Sequence, residues 1–146
     1  KGGVFVPAAD PAREADGLAA RLAVEIGAAH WAVINATRDD IIELQQIVTL
    51  METLAEHKMY AGFCEADMRF HEVLVRSAHS QRLMEMYHRA NFPLTLSLPR
   101  SREQEPLHRD AKRHKALLEA LMHRDFLSLV KGLAESYSQE DKDNLK

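Results

Sequence analysis

The chain has 146 residues, enough for one domain with a sizeable core, and it is rich in Ala, Leu, Glu and Met. A net charge of −3 leaves no global basic field for phosphates, so a nucleic-acid surface is not expected within it. The single Cys64 excludes an intramolecular disulfide framework, and no apolar run is expected to reach membrane-spanning length, which together predict a soluble, cytoplasmic protein with no membrane partner.

Lys1-Gly2-Gly3-Val4-Phe5-Val6-Pro7 places glycines before a short run of β-formers, which reads as the end of a hairpin strand rather than the start of a helix. From there the apolar period is helical nearly throughout. Asp10-Pro11 offers an N-cap and a proline at the first helical position, opening a helix to about Asn35. Its predicted apolar stripe is Ala19, Leu22, Ala23, Ile26 and Ala29 or His30. Thr37-x-x-Asp40 has the spacing of a capping box for a second helix to about His57, and Tyr60 to about Ala78 forms a third, weakened at its start by Gly62. Ser80 can cap a fourth, which Pro93 must kink or end, because proline removes a donor and clashes one turn back. After a polar connector from Ser101 to Pro106, helices near Leu107–His123 and Asp125–Glu140 close the chain, with a frayed tail from Asp141. The predicted fold is all-α, an antiparallel helical bundle of about six helices.

Asp67 and His71 stand four positions apart, so on a helix they stack on one face, at metal-ligand spacing. His114 can bring a third ligand from another helix, and an oxygen and nitrogen set of this kind suits zinc and similar divalent ions. The alternative is an Asp–His hydrogen bond on a half-apolar face. Arg21 presents a planar fork that matches a carboxylate, with a salt bridge to Glu25 as its other reading. Asn91, just before Phe92-Pro93, is a candidate pocket-lining residue where a kink opens space between helices. His30 and Trp31 read as core or dimer surface.

Four segments carry a family resemblance. Arg21-Leu22-Ala23-Val24-Glu25 is similar to a first-helix Arg-x-x-aliphatic-Glu, and Asn35-Ala36-Thr37-Arg38-Asp39-Asp40-Ile41 to the junction that follows it. Asp67 to His71 with Leu74, Ser77-Ala78 and Leu83 resembles Asp-x-x-Phe-His-x-x-Leu with its small-residue turn, and His114 through Leu121 with Asp125 resembles a later His-x-x-Ile-x-x-Ala-Ile-x-x-x-Asp. In this order they resemble the FadR-like C-terminal domain, FCD, of the GntR-type bacterial transcription regulators, from about Arg21 to Ser136. The resemblance implies a ligand-sensing and dimerisation domain over residues 10–146, preceded in residues 1–9 by the last wing strand and linker of a winged-helix domain. It implies a homodimer, a small carboxylate effector near Arg21, a divalent metal on Asp67, His71 and His114, and DNA contact only through the missing winged helix. One departure stands out: where metal-binding members carry a further histidine, this chain has Ser136, a poor ligand for zinc.

Two other classes compete with this reading. Glu85-x-x-His88 and Glu105-x-x-His108 superficially suggest a di-iron carboxylate bundle, but antiparallel packing would hold them roughly 20 Å apart, and Glu105 precedes a proline. With no Gly-x-Ser-x-Gly elbow, phosphate loop or His-Glu-x-x-His, the chain is expected not to be an enzyme. A purely structural helical dimerisation module is the remaining alternative.

Overall fold

The computed structural model describes residues 11–91 and 107–144, which form six helices. The wing strand over 1–9, the Asp10 cap, the Pro93 kink and the 101–106 connector lie outside the described residues. Helix α1 (Pro11–Asn35) begins on its proline, whose missing N–H has no intrahelical partner to lose at that position. Helix α2 (Arg38–Glu56) opens on the expected capping box, in which the Thr37 side chain accepts from the Asp40 N–H and the Asp40 carboxylate accepts from the Thr37 N–H. Helix α3 (Tyr60–Arg76) follows a turn in which Lys58 takes the left-handed conformation at φ 53°. Helix α4 (Gln81–Asn91) is capped by Ser80, whose hydroxyl accepts from the Leu83 N–H at 3.4 Å.

Helix α5 (Leu107–Met122) and helix α6 (Phe126–Asn144) are joined through Arg124, also left-handed at φ 57°. The Arg124 guanidinium donates to the carbonyls of Ala32, Val33 and Ala36, so a residue of the α5–α6 turn satisfies the C-terminal end of α1. The tail expected to fray is helical through Asn144.

The helices close a ring in which α1 packs on α3, α3 on α2, α2 on α5, α5 on α6 and α6 back on α1, with α4 lying against α1 and α3. Although only two residues separate α1 from α2, these two helices do not pack along their lengths. Leu44, Met51, Phe63, Phe70, Leu117, Leu121, Leu129 and Leu133 fill the larger core. Val24, Ala28, Val75, Ala78 and Tyr87 form a smaller one beside it. Residues of both cores flank a set of buried charged and polar groups: Arg21, Glu25, Asp67, His71 and His114.

The structure departs from several expectations along α1. The buried stripe of α1 is Leu18, Arg21, Val24, Glu25, Ala28, Ala29 and Ala32, whereas Ala19, Ala23 and His30 are exposed and Leu22 and Ile26 half-buried. The helix is rotated so that its ion pair faces inward. His30 and Trp31, expected in the core or at a dimer surface, are both exposed and edge-on to each other, so neither belongs to the core. One stretch, Ala15–Asn35, is long and apolar enough by length and composition to cross a membrane, contrary to the reading that none is. Here it packs against α3, α4 and α6, as a core helix of the same composition does.

Candidate metal and effector site

Asp67 and His71 project from α3 and His114 from α5, all three buried, with ligand atoms within 4.8 Å of one another. The Asp67 Oδ1 atom is 3.0 Å from His114 Nε2 and 4.0 Å from His71 Nε2, and the two Nε2 atoms are 3.3 Å apart. A point about 2 Å from all three atoms exists, the bond length zinc takes from imidazole and carboxylate. The donors therefore fit a divalent ion.

Their surroundings fix which nitrogens face that point. His114 Nδ1 lies 2.9 Å from the Asp110 carbonyl oxygen and His71 Nδ1 lies 3.0 Å from Glu25 Oε2. Both oxygens only accept, so both Nδ1 atoms carry the proton and both Nε2 lone pairs point at the shared space. Oxygen acceptors behind metal-binding imidazoles orient the rings in this way. Without a cation between them, two imidazole lone pairs and a carboxylate repel. A proton is the smallest cation that relieves this: burial disfavours a charged His114, but the hydrogen bond to Asp67 and its charge outweigh burial and raise the imidazole above its ordinary range. Phe70 closes the site edge-on to His114, at 4.9 Å between centroids.

Glu25 links this trio to Arg21. Its Oε1 accepts from Arg21 Nε at 2.8 Å and from the Tyr137 hydroxyl at 3.0 Å, while Oε2 accepts from His71. The carboxylate has no exposed surface, and burial alone would push its pKa up; the His71 ring and the Arg21 guanidinium outweigh burial and hold it at about 2. Arg21 is likewise desolvated, yet Glu25 and the oxygens around it keep the guanidinium charged.

Of the two sequence readings of Arg21, the structure shows the salt bridge, made by Nε to Glu25, while the rest of the fork lies over the rings of Tyr87 and Tyr137. Asp67, His71, His114 and Arg21 are brought together. Asn91 ends α4, and its side chain lies outside the described portion. Ser136, on α6, directs its hydroxyl to the Gly132 carbonyl at 3.0 Å. The sequence offers Glu25 as a salt-bridge partner for Arg21 and as part of the first-helix motif, but not as a partner of His71, and it does not single out Tyr87, Tyr137 or Asp110. The Arg21–Glu25 spacing was a signal for the first; ordinary core spacing hid the others.

The family model of the FCD domain matches residues 16–136. The chain is 31% identical over 108 residues to the galactonate operon transcriptional repressor of Escherichia coli K12, and 30% identical over 115 residues to the Uxu operon transcriptional regulator of the same organism. These alignments cover 70% and 74% of this chain but 44% of each relative, so the chain spans less than half the length of the curated relatives it matches. Among solved structures, E. coli McbR/YncC superposes with a TM-score of 0.86 at 22% identity, over 97% of this chain and 72% of that one, which establishes a shared fold.

Proposed function

Since the chain belongs to the FCD-domain family of GntR-type transcription regulators, we propose that it senses a small carboxylate effector at the Arg21 and Asp67–His71–His114 cluster and transmits its occupancy through a homodimer to winged-helix domains on DNA. The observation that carries this reading is the buried cluster itself. A guanidinium and three convergent metal donors, enclosed by helices, are suited to hold an anion out of water. Galactonate, named in one relative, is a polyhydroxylated carboxylate, a chemistry that a cation and an oxygen-seeking metal recognise together.

Asp67, His71 and His114 would hold the metal, with Glu25 and the Asp110 carbonyl orienting the two rings. A bound divalent ion supplies a Lewis-acidic position for an effector oxygen. Three protein donors leave such positions open, and Ser136 adds no imidazole to close one. The cluster joins α1, α3, α5 and α6, so filling it changes how these helices are held relative to one another. An effector shifts the dimer only by its differential affinity for two arrangements, typically about 1–3 kcal/mol of coupling.

Sensing is favoured over catalysis because Glu85, His88 and His108, the described members of the two Glu-x-x-His motifs, are exposed rather than part of the buried cluster. The setting proposed is cytoplasmic, as for a protein that works on DNA. Elemental analysis after purification without a chelating resin tests the metal, together with a zinc-induced melting shift that His114→Ala abolishes. Calorimetry with small carboxylates tests the effector. Arg21→Lys is the informative variant, because it keeps the charge that Glu25 needs and removes the fork. Sedimentation equilibrium tests the dimer. Metal-free protein with no zinc shift refutes the metal, and carboxylate binding unchanged in Arg21→Lys refutes the pocket.

A further inference from the structure

Two tyrosines flank the Arg21 guanidinium, each with its ring centroid 5.7 Å from Cζ. Tyr137, from α6, donates its hydroxyl to Glu25. Tyr87, from α4, is 1% exposed, and among the described residues its hydroxyl oxygen is the buried side-chain polar atom without a hydrogen-bond partner. An unbonded buried hydroxyl costs about 1–3 kcal/mol. The ring packs against Val24, Ala28, Val75 and Ala78, a setting phenylalanine would fill equally well. Packing therefore gives no reason for the oxygen.

Its electrostatic surroundings give one. The Arg21 guanidinium, partner of Glu25, lies over this ring, and burial raises the phenol so that its hydroxyl stays protonated and able to donate. Arg21 uses Nε on Glu25 and has no other hydrogen-bonding partner among the described residues, so its terminal N–H groups are available to a ligand.

We infer that Tyr87 is a specificity-determining residue of this site: its hydroxyl and the terminal N–H groups of Arg21 grip one ligand carboxylate from two directions. The inference rests on the effector reading above and adds the residue that selects for a carboxylate over a neutral oxygen ligand. An anion with two acceptor oxygens satisfies both the orphaned donor and the cation, whereas a neutral ligand leaves the buried guanidinium without a counter-charge beyond Glu25.

Calorimetry on the zinc-loaded chain tests it, with acetate, glycolate and D-galactonate as probes. Wild type is expected to bind at least one of them, and Tyr87→Phe to weaken that binding about ten- to a hundredfold. The unliganded melting temperature of Tyr87→Phe should equal or exceed that of wild type, because the change removes an unbonded polar group. Tyr137→Phe, which deletes a bond already made to Glu25, should lower it, separating a structural hydroxyl from a ligand-reading one. Equal affinity of wild type and Tyr87→Phe for every bound probe overturns the inference and leaves the effector reading standing. So does a Tyr87→Phe melting temperature that falls as far as that of Tyr137→Phe, since the hydroxyl is then held by ordered water. Failure of wild type to bind any probe overturns both.

Discussion

Glu25→Gln is the most searching single change, because one fully buried carboxylate accepts from Arg21, His71 and Tyr137 at once. The amide keeps the shape, removes the charge, and replaces one acceptor oxygen with a donor that faces another donor. The fold lowers the Glu25 pKa from its ordinary 4.5 to about 2. Through linkage, a depression of that size corresponds to about 3 kcal/mol of stability. Removing one partner of a buried ion pair costs about 3–5 kcal/mol, so the two routes agree.

The sign follows from the direction of the shift. A depressed carboxylate contributes its stability above its unfolded pKa and loses it as pH falls through the folded one. In urea denaturation of metal-stripped protein, wild type should therefore exceed Glu25→Gln by about 3 kcal/mol at pH 7, and the gap should narrow from about pH 4.5 toward pH 2. Stripping the metal keeps its binding energy out of the comparison. A gap below about 0.5 kcal/mol at pH 7, the scale of an ordinary surface substitution, or a gap that does not change with acid, would refute the reasoning.

Three further changes probe the helix ends. Thr37→Ala deletes the hydroxyl half of the α2 capping box and should cost about 1 kcal/mol, read as a lower urea midpoint at unchanged slope. Lys58→Gly should stabilise by about 0.5–1 kcal/mol, since a left-handed residue with a Cβ is strained and glycine is not, and a higher melting temperature would show it. Arg124→Ala strips three carbonyls at the end of α1 of their donor and should destabilise by about 1–2 kcal/mol. Hydrogen exchange should quicken around Ala36 while the centre of α3 stays protected.

The helical class, the order of the elements and most of their ends were legible in the chain, because caps and proline act within a few residues. Thr37 and Asp40 make their box, Ser80 caps α4, and the four-residue spacing of Asp67 and His71 puts both side chains on one face of α3 wherever that helix packs. The ordered motifs also carry the family, since they span about Arg21 to Ser136 and the FCD model matches the same stretch.

The inward turn of α1 was not legible. Hydropathy puts the stripe on Ala19, Leu22, Ala23 and Ile26 and leaves Glu25 off it, and the arrival of His71 from α3 and Tyr137 from α6 makes burial of the ion pair tolerable. Nor could the chain show that α1 and α2, neighbours in sequence, lie apart, or that Tyr87 ends with its ring packed and its hydroxyl unbonded. Local chemistry decides where a helix begins and which residues share its face. Which face turns inward depends on partners supplied by distant segments, and at this site the energy of burying charge is a property of the assembled helices alone.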